Sequence, residues 1–231
     1  MGTTLKTKVK IETFMKKVIS STIITVLLAF VSLIYFEPEL ARAFDIGVSL
    51  QVTTEITLDC DAACDMTTGG PINAISGGSL TGNFACTVKT PDTTGWNLTV
   101  KKNQTLQRSG GGANKEFTDY TENSPLDYTW TAPGAGNETF GFNLRAATED
   151  AVAKYTDNGS DTCGAGTVSN DHCWTKFPTT PTTEKVSSSN AATDPAGDPV
   201  NFGLKAEAGG SNFLEPGAYA TTITATATIG P

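Results

Sequence analysis

The sequence predicts an all-β fold, an antiparallel β-sandwich of about eight to ten strands that follows an N-terminal signal peptide helix. Three observations support this prediction. Several segments alternate apolar and polar residues with a period of two, which is the side-chain period of a β-strand. Clusters of Gly, Pro, Asn and Asp separate these segments, as turns do. Thr, Gly, Asn and Ala are common whereas Leu, Lys and Glu are infrequent, and this composition favours strands over helices.

The N-terminal segment has the three parts of a secretory signal peptide. Five lysines precede an uncharged and mainly apolar run at residues 18–36, and an Ala-Arg-Ala triplet that ends at Ala43 then supplies a cleavage site. We therefore predict a signal peptide at residues 1–43 and a mature chain that begins at Phe44. The apolar run is also long enough to cross a bilayer, so an uncleaved membrane anchor is the alternative. Residues 44–231 suit a single domain with a sizeable core.

The predicted strands follow one another along the mature chain. The first covers residues 44–58, where six apolar residues share one parity. Residues 79–90 and 96–100 also alternate, and the turn between them predicts a hairpin. Further strands are predicted at residues 126–131, 140–144, 174–177 and 200–206. Residues 146–199 are otherwise rich in Thr, Asn, Ser, Asp, Gly and Pro, which predicts a loop-rich insertion.

The last predicted strand covers residues 219–229 and closes the sandwich. The odd-numbered residues of this segment are mostly apolar, and the even-numbered residues are almost entirely threonine. A strand with this pattern has one buried face and one solvated face. We therefore predict that Ile223 faces the core and that Thr224 faces solvent. The Ile223→Ala substitution is then predicted to cost about 2–5 kcal/mol of unfolding free energy, because it removes buried methyl groups and leaves a cavity.

The charge of the chain excludes two classes of partner. The net charge is −8, and removal of residues 1–43, which hold six Lys or Arg and three Asp or Glu, changes it to −11. Nucleic acids and anionic lipids would repel so acidic a protein. We therefore expect no nucleic-acid partner, and membrane contact only through the N-terminal segment if that segment is retained.

The cysteines predict disulfides, which export through a signal peptide permits. Cys163 and Cys173 lie ten residues apart in a loop-rich stretch, where a bridge would act as a local staple. Cys86 is predicted to pair across two strands with either Cys60 or Cys64. Because the five cysteines are odd in number, one thiol stays unpaired or joins two molecules.

The residues supply no catalytic set, and we predict that the protein is not an enzyme. His172 is the single histidine of the chain and lies in a polar loop beside a cysteine. The nucleophile-elbow, zinc-protease and phosphate-loop motifs are absent from the sequence. Glu116, Asp119 and Glu122 are close enough in sequence to supply a glycosidase pair. In so acidic a chain, a solvated surface cluster is the favoured interpretation.

Two further features are candidate binding sites. Asp157, Asn158 and Asp161 offer oxygen ligands around a turn glycine, as a small Ca²⁺ loop would, although a plain acidic turn is the favoured interpretation. No other cofactor is expected. Trp96 is either an exposed platform for a ligand or part of the core, and its shared parity with Leu98 favours the core.

Two stretches of the chain resemble the WxL family of bacterial cell-surface domains. In the first, Gly95-Trp96 is followed by Leu98 directly after a turn. The second is the C-terminal strand, where this chain has Tyr219, Ile223, Thr224 and Pro231 in the register of the family. Ala225 and Ala227 stand where the family has its second Trp-x-Leu motif.

The resemblance implies a β-sandwich displayed outside the cell and attached non-covalently to peptidoglycan. Trp96, Leu98 and Tyr219 are then the candidate binding residues. The sequence Phe-Gly-Phe-Asn-Leu at residues 140–144 also resembles sequences in secreted bacterial β-sandwiches that lack the second Trp-x-Leu motif. The motifs that carry the resemblance cover about two dozen positions of the chain.

These observations predict a secreted, non-enzymatic cell-surface protein with a structural or cell-wall-attachment role. One alternative is a pilin-like filament subunit, because long terminal strands could add to the sheet edge of a neighbouring molecule. Another alternative is an adhesive module that binds carbohydrate, with or without Ca²⁺. The expected partners are peptidoglycan or another wall polysaccharide, other surface proteins, or further copies of the chain.

Overall fold

The computed structural model describes residues 55–66, 68–123 and 126–230. The predicted signal peptide and most of the predicted first strand therefore lie outside the described residues. Residues 52–231 form one compact unit. No helix in the described ranges is long and apolar enough to cross a membrane. The all-β prediction is confirmed, because the described elements are strands in two sheets and one short 3₁₀ turn at Ala153–Tyr155.

The strands are numbered in chain order. They are β1 (Thr57–Cys60), β2 (Thr68–Gly69), β3 (Gly78–Lys89), β4 (Trp96–Lys102), β5 (Leu106–Arg108), β6 (Glu116–Asp119), β7 (Glu138–Leu144), β8 (Glu184–Ser189), β9 (Asp198–Ala208), β10 (Tyr219–Ala220) and β11 (Ile223–Ile229). The larger sheet has the order β1-β3-β9-β7-β6-β5-β10, and β2 also pairs with β3. The smaller sheet has the order β11-β4-β8. All pairs are antiparallel except β6 with β7.

The core lies between the two sheets and follows the period-two pattern of the strands. The larger sheet contributes the fully buried side chains of Cys86, Val88, Phe142, Leu144, Val200 and Phe202. The smaller sheet contributes Trp96, Leu98, Val100 and Val186, which are also fully buried. Aromatic stacking adds to this apolar packing, since the ring centroids of Phe142 and Phe177 lie 4.0 Å apart. Burial of these side chains supplies the main stabilisation of the sandwich.

The predicted hairpin of residues 79–90 and 96–100 is wrong. β3 pairs with β1 and β9, whereas β4 pairs with β8 and β11, so the turn between β3 and β4 carries the chain from one sheet to the other. The apolar faces of β3 and β4 both point into the core. Alternation alone cannot distinguish a hairpin from this connection, because both bury one face of each strand.

Gly95 makes the sheet-to-sheet turn possible. Its φ is +89°, and a Cβ atom at this position would lie 1.9 Å from the carbonyl oxygen of Ser189. We predict that Gly95→Ala costs about 2–4 kcal/mol of unfolding free energy, from left-handed strain together with steric overlap. Gly110→Ala is the matched control, because its φ is +93° and no atom lies within 4 Å of the added Cβ. Denaturant unfolding should show a clearly smaller loss for Gly110→Ala, and equal losses would contradict the proposed overlap.

The loop-rich stretch at residues 146–199 contains more structure than its composition predicts. It includes the 3₁₀ turn and β8, and the bridge between Cys163 and Cys173 is confirmed. The predicted strands at 126–131 and 174–177 are not strands in the described residues. They make only isolated bridges, in which Asp127 pairs with Trp174 and Thr175 pairs with Phe142.

The terminal strand has the predicted facing but not the predicted burial. Thr224, Thr226 and Thr228 are exposed, while Ile223, Ala225 and Ala227 on the opposite face are only half-buried. The inner face of β11 is therefore not fully covered by the larger sheet. The candidate site lies where this cover is incomplete.

Candidate functional site: an open apolar groove

The candidate binding residues do not form one site. Trp96 and Leu98 are fully buried in β4, and the indole Nε1 of Trp96 donates a hydrogen bond of 3.0 Å to the carboxylate of Asp198. Tyr219 is half-buried on β10, which belongs to the other sheet. The interpretation of Trp96 as a core residue therefore agrees with its position, and Trp96 and Leu98 present no surface to a ligand.

The candidate Ca²⁺ loop is held by hydrogen bonds of its own. Asp157 accepts from the backbone N–H of Gly159 at 2.7 Å and from the hydroxyl of Tyr128 at 3.0 Å. Asn158 accepts from the backbone N–H of Ser160 at 2.9 Å. The hydrogen bond from Gly159 is the main reason why the pKa of Asp157 is lowered. Among the described residues, no three His, Cys, Asp or Glu side chains form a cluster that could hold a metal ion, and Asp161 is therefore not part of such a cluster.

The titratable groups considered for catalysis are engaged in local contacts. The ring of His172 stacks on Tyr128 with a centroid distance of 4.1 Å. Asp119 forms an ion pair with the buried Lys102, and the carboxylate of Glu122 lies 3.6 Å from the ammonium of Lys176. Glu116 accepts a hydrogen bond of 3.0 Å from the hydroxyl of Thr105. Each of these groups therefore has a local partner, and these contacts orient loops and strand ends.

A second aromatic cluster on the outside of the larger sheet bears on the carbohydrate-binding alternative. Trp130 stacks on Tyr120 at 4.3 Å between ring centroids and meets Trp174 edge-on at 5.0 Å. The ammonium of Lys205 lies 5.0 Å from the centroid of the Trp130 ring. The ring faces are thus used by one another and by Lys205, which is the arrangement of a packed cluster rather than an open sugar platform.

Both disulfides predicted from the sequence are present. Cys60 pairs with Cys86, its direct cross-strand neighbour in the register of β1 and β3, and Cys163 pairs with Cys173. Cys64, the other partner considered for Cys86, stays a free thiol. Two disulfides indicate an oxidising compartment. The Cys60–Cys86 bridge also fixes β1, an edge strand of four residues, to the larger sheet.

An open groove of about 1270 Å³ lies against the inner face of the larger sheet. Its floor is apolar and consists of Leu80, Phe84, Leu106, Phe117, Phe140, Leu204 and Ala206. One wall is the loop at residues 60–66. The opposite wall is the segment at 214–225, which includes the first residues of β11. None of the sequence patterns described above predicts this groove.

The groove is open because the smaller sheet covers only part of the larger one. Along β3, the inward side chains of Cys86 and Val88 are fully buried, whereas Leu80 and Phe84 are only half-buried. The smaller sheet has three strands, and β11 is its edge on the groove side. Leu80 and Phe84 therefore remain partly accessible, and a further strand beside β11 would cover them. The other floor residues are already buried, namely Leu106, Phe117, Phe140, Leu204 and Ala206.

The two edges of the smaller sheet are not equivalent. The outer side of β8 is bonded, because Val152 donates to the carbonyl of Val186 at 2.9 Å and Ser188 donates to the carbonyl of Asp150 at 2.8 Å. The outer side of β11 pairs with no strand in the ranges that the structure describes. In the described ranges, the outer backbone groups of β11 along the groove therefore have no strand partner, which is the arrangement that accepts an added strand.

The groove is closed at one end and open at the other. β1 and β11 approach within 8 Å of each other. Thr57 pairs with Lys89 and Ile229 pairs with Trp96, so both strands reach the end of the sandwich that holds the turn between β3 and β4. The groove extends from there towards Ile223 at the opposite end of β11.

Both walls of the groove are held in place by specific contacts. The hydroxyl of Tyr219 donates to the carbonyl of Glu215 at 2.7 Å, and its ring meets Phe117 edge-on at 5.4 Å. On the other wall, a Cβ atom added to Gly82 would lie 2.9 Å from the sulfur of Cys64, so the loop rests directly on β3. Burial and the nearby carboxylates of Asp65 and Asp61 raise the pKa of the Cys64 thiol.

Comparison with known proteins identifies no relative of this chain. No protein-family model matches the sequence, and no curated protein matches it. The resemblance to WxL domains therefore stays a prediction, supported by motif residues alone. The geometry of the groove is the main basis for a functional proposal.

Proposed function

We propose that the chain is an exported, non-enzymatic structural protein of the bacterial cell surface, and that it assembles into filaments by strand addition. The observation that carries this proposal is the apolar groove beside β11, which is an edge of the smaller sheet in the part of the chain that the structure describes. A strand placed in the groove would form backbone hydrogen bonds with β11 and direct every second side chain onto the floor. Each apolar side chain buried in this way would contribute about 1.5–3 kcal/mol.

Several features support export to the cell surface. The two disulfides form in oxidising compartments. The N-terminal sequence has the parts of a signal peptide, and the acidic composition of residues 44–231 keeps an exported domain soluble. The groove holds no histidine, and its acidic residues, Asp61, Asp65 and Glu215, lie on the two walls rather than on the apolar floor.

Cell-wall attachment is the second candidate, because the chain has the Gly95-Trp96 and Leu98 positions of the WxL motif. These side chains stabilise the core in this protein, so attachment would have to use another surface. An adhesive role that depends on Ca²⁺ would have to use the loop that contains Asp157. A sedimentation assay with and without purified peptidoglycan, and with and without chelator, separates these candidates from self-assembly. Attachment requires peptidoglycan, Ca²⁺-dependent adhesion is lost with chelator, and self-assembled filaments sediment without peptidoglycan.

The proposal predicts opposite results for two substitutions on β11. Ile223 lines the groove on the half-buried face, whereas Thr226 is exposed on the opposite face and does not line the groove. We expect Ile223→Asp to abolish assembly of the mature chain, because a carboxylate would replace an apolar contact with the added strand. Thr226→Asp should leave assembly unchanged. Light scattering after size exclusion and negative-stain electron microscopy provide the measurement.

Two results would contradict the proposal. One is a mature wild-type chain that stays monomeric at every concentration tested. The other is equal assembly of wild type and Ile223→Asp. Circular dichroism and thermal unfolding of each variant serve as the control for folding. A monomeric wild type that sediments with peptidoglycan would favour the attachment role instead.

A further inference from the structure

We infer that the strand which fills the groove is residues 44–54 of a neighbouring copy of this chain. This inference rests on the proposed assembly by strand addition and names the donor. The donor would be the mature N-terminus that cleavage after Ala43 exposes. The acceptor is the groove between the loop at residues 60–66 and β11.

The donor segment has the side-chain pattern that the groove requires. Its apolar parity consists of Ile46, Val48, Leu50 and Val52. The opposite parity consists of Asp45, Gly47, Ser49 and Gln51. In an extended strand, all four apolar side chains would point to the floor and the polar ones to solvent. The seven residues from Ile46 to Val52 are long enough to span the part of β11 that lines the groove, Ile223 to Ala225.

The small side chains on the inner face of β11 also leave room for an added strand that carries branched apolar side chains. Its inner face presents Ala225 and Ala227, whose side chains are small and half-buried. Cross-strand neighbours on one face of a sheet lie close enough to pack together. Small residues on β11 therefore leave space on the floor for Val, Leu and Ile side chains of an added strand. The polar parity of the donor would continue the exposed threonine face of β11.

The position of the first described residues favours a donor from another copy. The hydroxyl of Thr90 donates to the carbonyl of Glu55 at 2.9 Å, which fixes Glu55 at the closed end of the groove. Leu80 on the groove floor is nine residues along β3 from Lys89, or about 30 Å at the rise of an extended strand. A segment that precedes Glu55 would have to reverse its direction to reach this floor.

The sequence before β1 does not contain the residues that such a reversal needs. Residues 48–58 include no Gly, Pro or Asn and no Asp, and these residue types dominate tight turns. The same residues alternate without a break in parity except at Thr54. If this segment continues β1 as an extended strand, it would point away from the groove of its own chain and could reach the groove of a neighbour instead.

This arrangement generates a filament rather than a closed dimer. The donor leaves the sandwich at the closed end of the groove, and the acceptor groove opens at the other end. The contact therefore joins two different surfaces of the two copies. A head-to-tail contact of this kind repeats without limit unless its rotation closes a ring.

The free thiol of Cys64 on the groove wall allows a direct test in the full mature chain. One chain carries Leu50→Cys together with Cys64→Ser, and a second chain keeps Cys64 and carries Leu50→Asp. In the mixture, only the first chain can donate a strand and only the second can be cross-linked through its groove. A short thiol-specific bis-methanethiosulfonate reagent is added at mildly alkaline pH, because burial raises the pKa of the Cys64 thiol and the thiolate is the reactive form.

The expected product is a cross-linked pair that contains one chain of each kind, identified by mass spectrometry. Three further donor chains carry the cysteine at position 46, 48 or 52 instead of position 50. Comparison of their yields identifies the donor position nearest to Cys64. Ser49→Cys and Gln51→Cys are the matched controls on the opposite parity, and they should give markedly less product. A cross-link within a single chain carrying Leu50→Cys and native Cys64, with none between chains, would overturn the inference.

Assembly of two donor variants separates failure of this inference from failure of the proposed function. Leu50→Asp should lose filaments, whereas Gln51→Asp should keep them. If Leu50→Asp assembles like wild type while Ile223→Asp does not, the groove accepts a strand but residues 44–54 do not supply it. If wild type itself does not assemble, the proposed function fails together with the inference.

Discussion

Replacement of Trp96 by alanine should cost about 3–5 kcal/mol of unfolding free energy, the range for a large buried aromatic side chain. The side chain is fully buried in β4 and packs between the two sheets. Its removal also leaves the carboxylate of Asp198, which is 5% exposed, without the hydrogen bond that Trp96 donates. Denaturant unfolding of the mature chain measures the loss.

Trp96→Phe is the companion variant, because it keeps most of the apolar packing and removes only the indole N–H. We expect it to cost about 1–3 kcal/mol, the penalty for a buried acceptor that loses its donor. A WxL-type binding role for Trp96 predicts a different result, in which Trp96→Ala keeps its stability and loses sedimentation with peptidoglycan. That result would contradict the assignment of Trp96 to the core.

Removal of the Cys163–Cys173 bridge is the second substitution with a large expected effect. The bridge closes a loop with a sequence separation of 10 in the stretch between β7 and β8, and both cysteines are buried. Substitution of both by serine should cost about 2–4 kcal/mol, because the unfolded chain regains the freedom that the bridge removes. Thermal and denaturant unfolding of the oxidised protein provide the measurement.

The matched control for this pair is Cys64→Ser. Cys64 is a free thiol and only half-buried, so its substitution should change stability by no more than about 0.5 kcal/mol. Thiol mapping of the folded, exported protein should label Cys64 and neither Cys163 nor Cys173. Labelling of both Cys163 and Cys173 would contradict the bridge.

Alternation in the sequence predicts most of the long strands of this fold. β3, β4, β9 and β11 alternate between a more buried and a less buried face, and their period-two pattern locates them. β7 shows the same alternation of apolar residues in sequence, although both of its faces are buried from Phe140 to Leu144. β8 could not be found in this way, because Val186 is its only aliphatic residue and the other five residues are polar. β5 and β6 are too short, at three and four residues, to show a period.

The groove could not be predicted from the sequence, because alternation reports which face points inward and not whether that face is covered. Ile223 faces inward as predicted, but it is half-buried. Its substitution by alanine should therefore cost the monomer about 1 kcal/mol, less than the cost expected for a fully buried side chain. One signal was present in the sequence: the inner face of β11 has small residues, Ala225 and Ala227, where a closed core would need larger ones.

Hydrogen exchange along β11 tests the central claim most directly, namely that the groove binds an added strand. Assembled mature protein is compared with the Leu50→Asp variant, in which β11 is unaltered. Assembly should slow the exchange of amides at residues 223–229, whose outer side pairs with no strand in the described ranges. Amides of β8 should exchange equally in both, because residues 150–152 already bond its outer side. Unchanged exchange along β11, or new protection along β8 alone, would contradict the account.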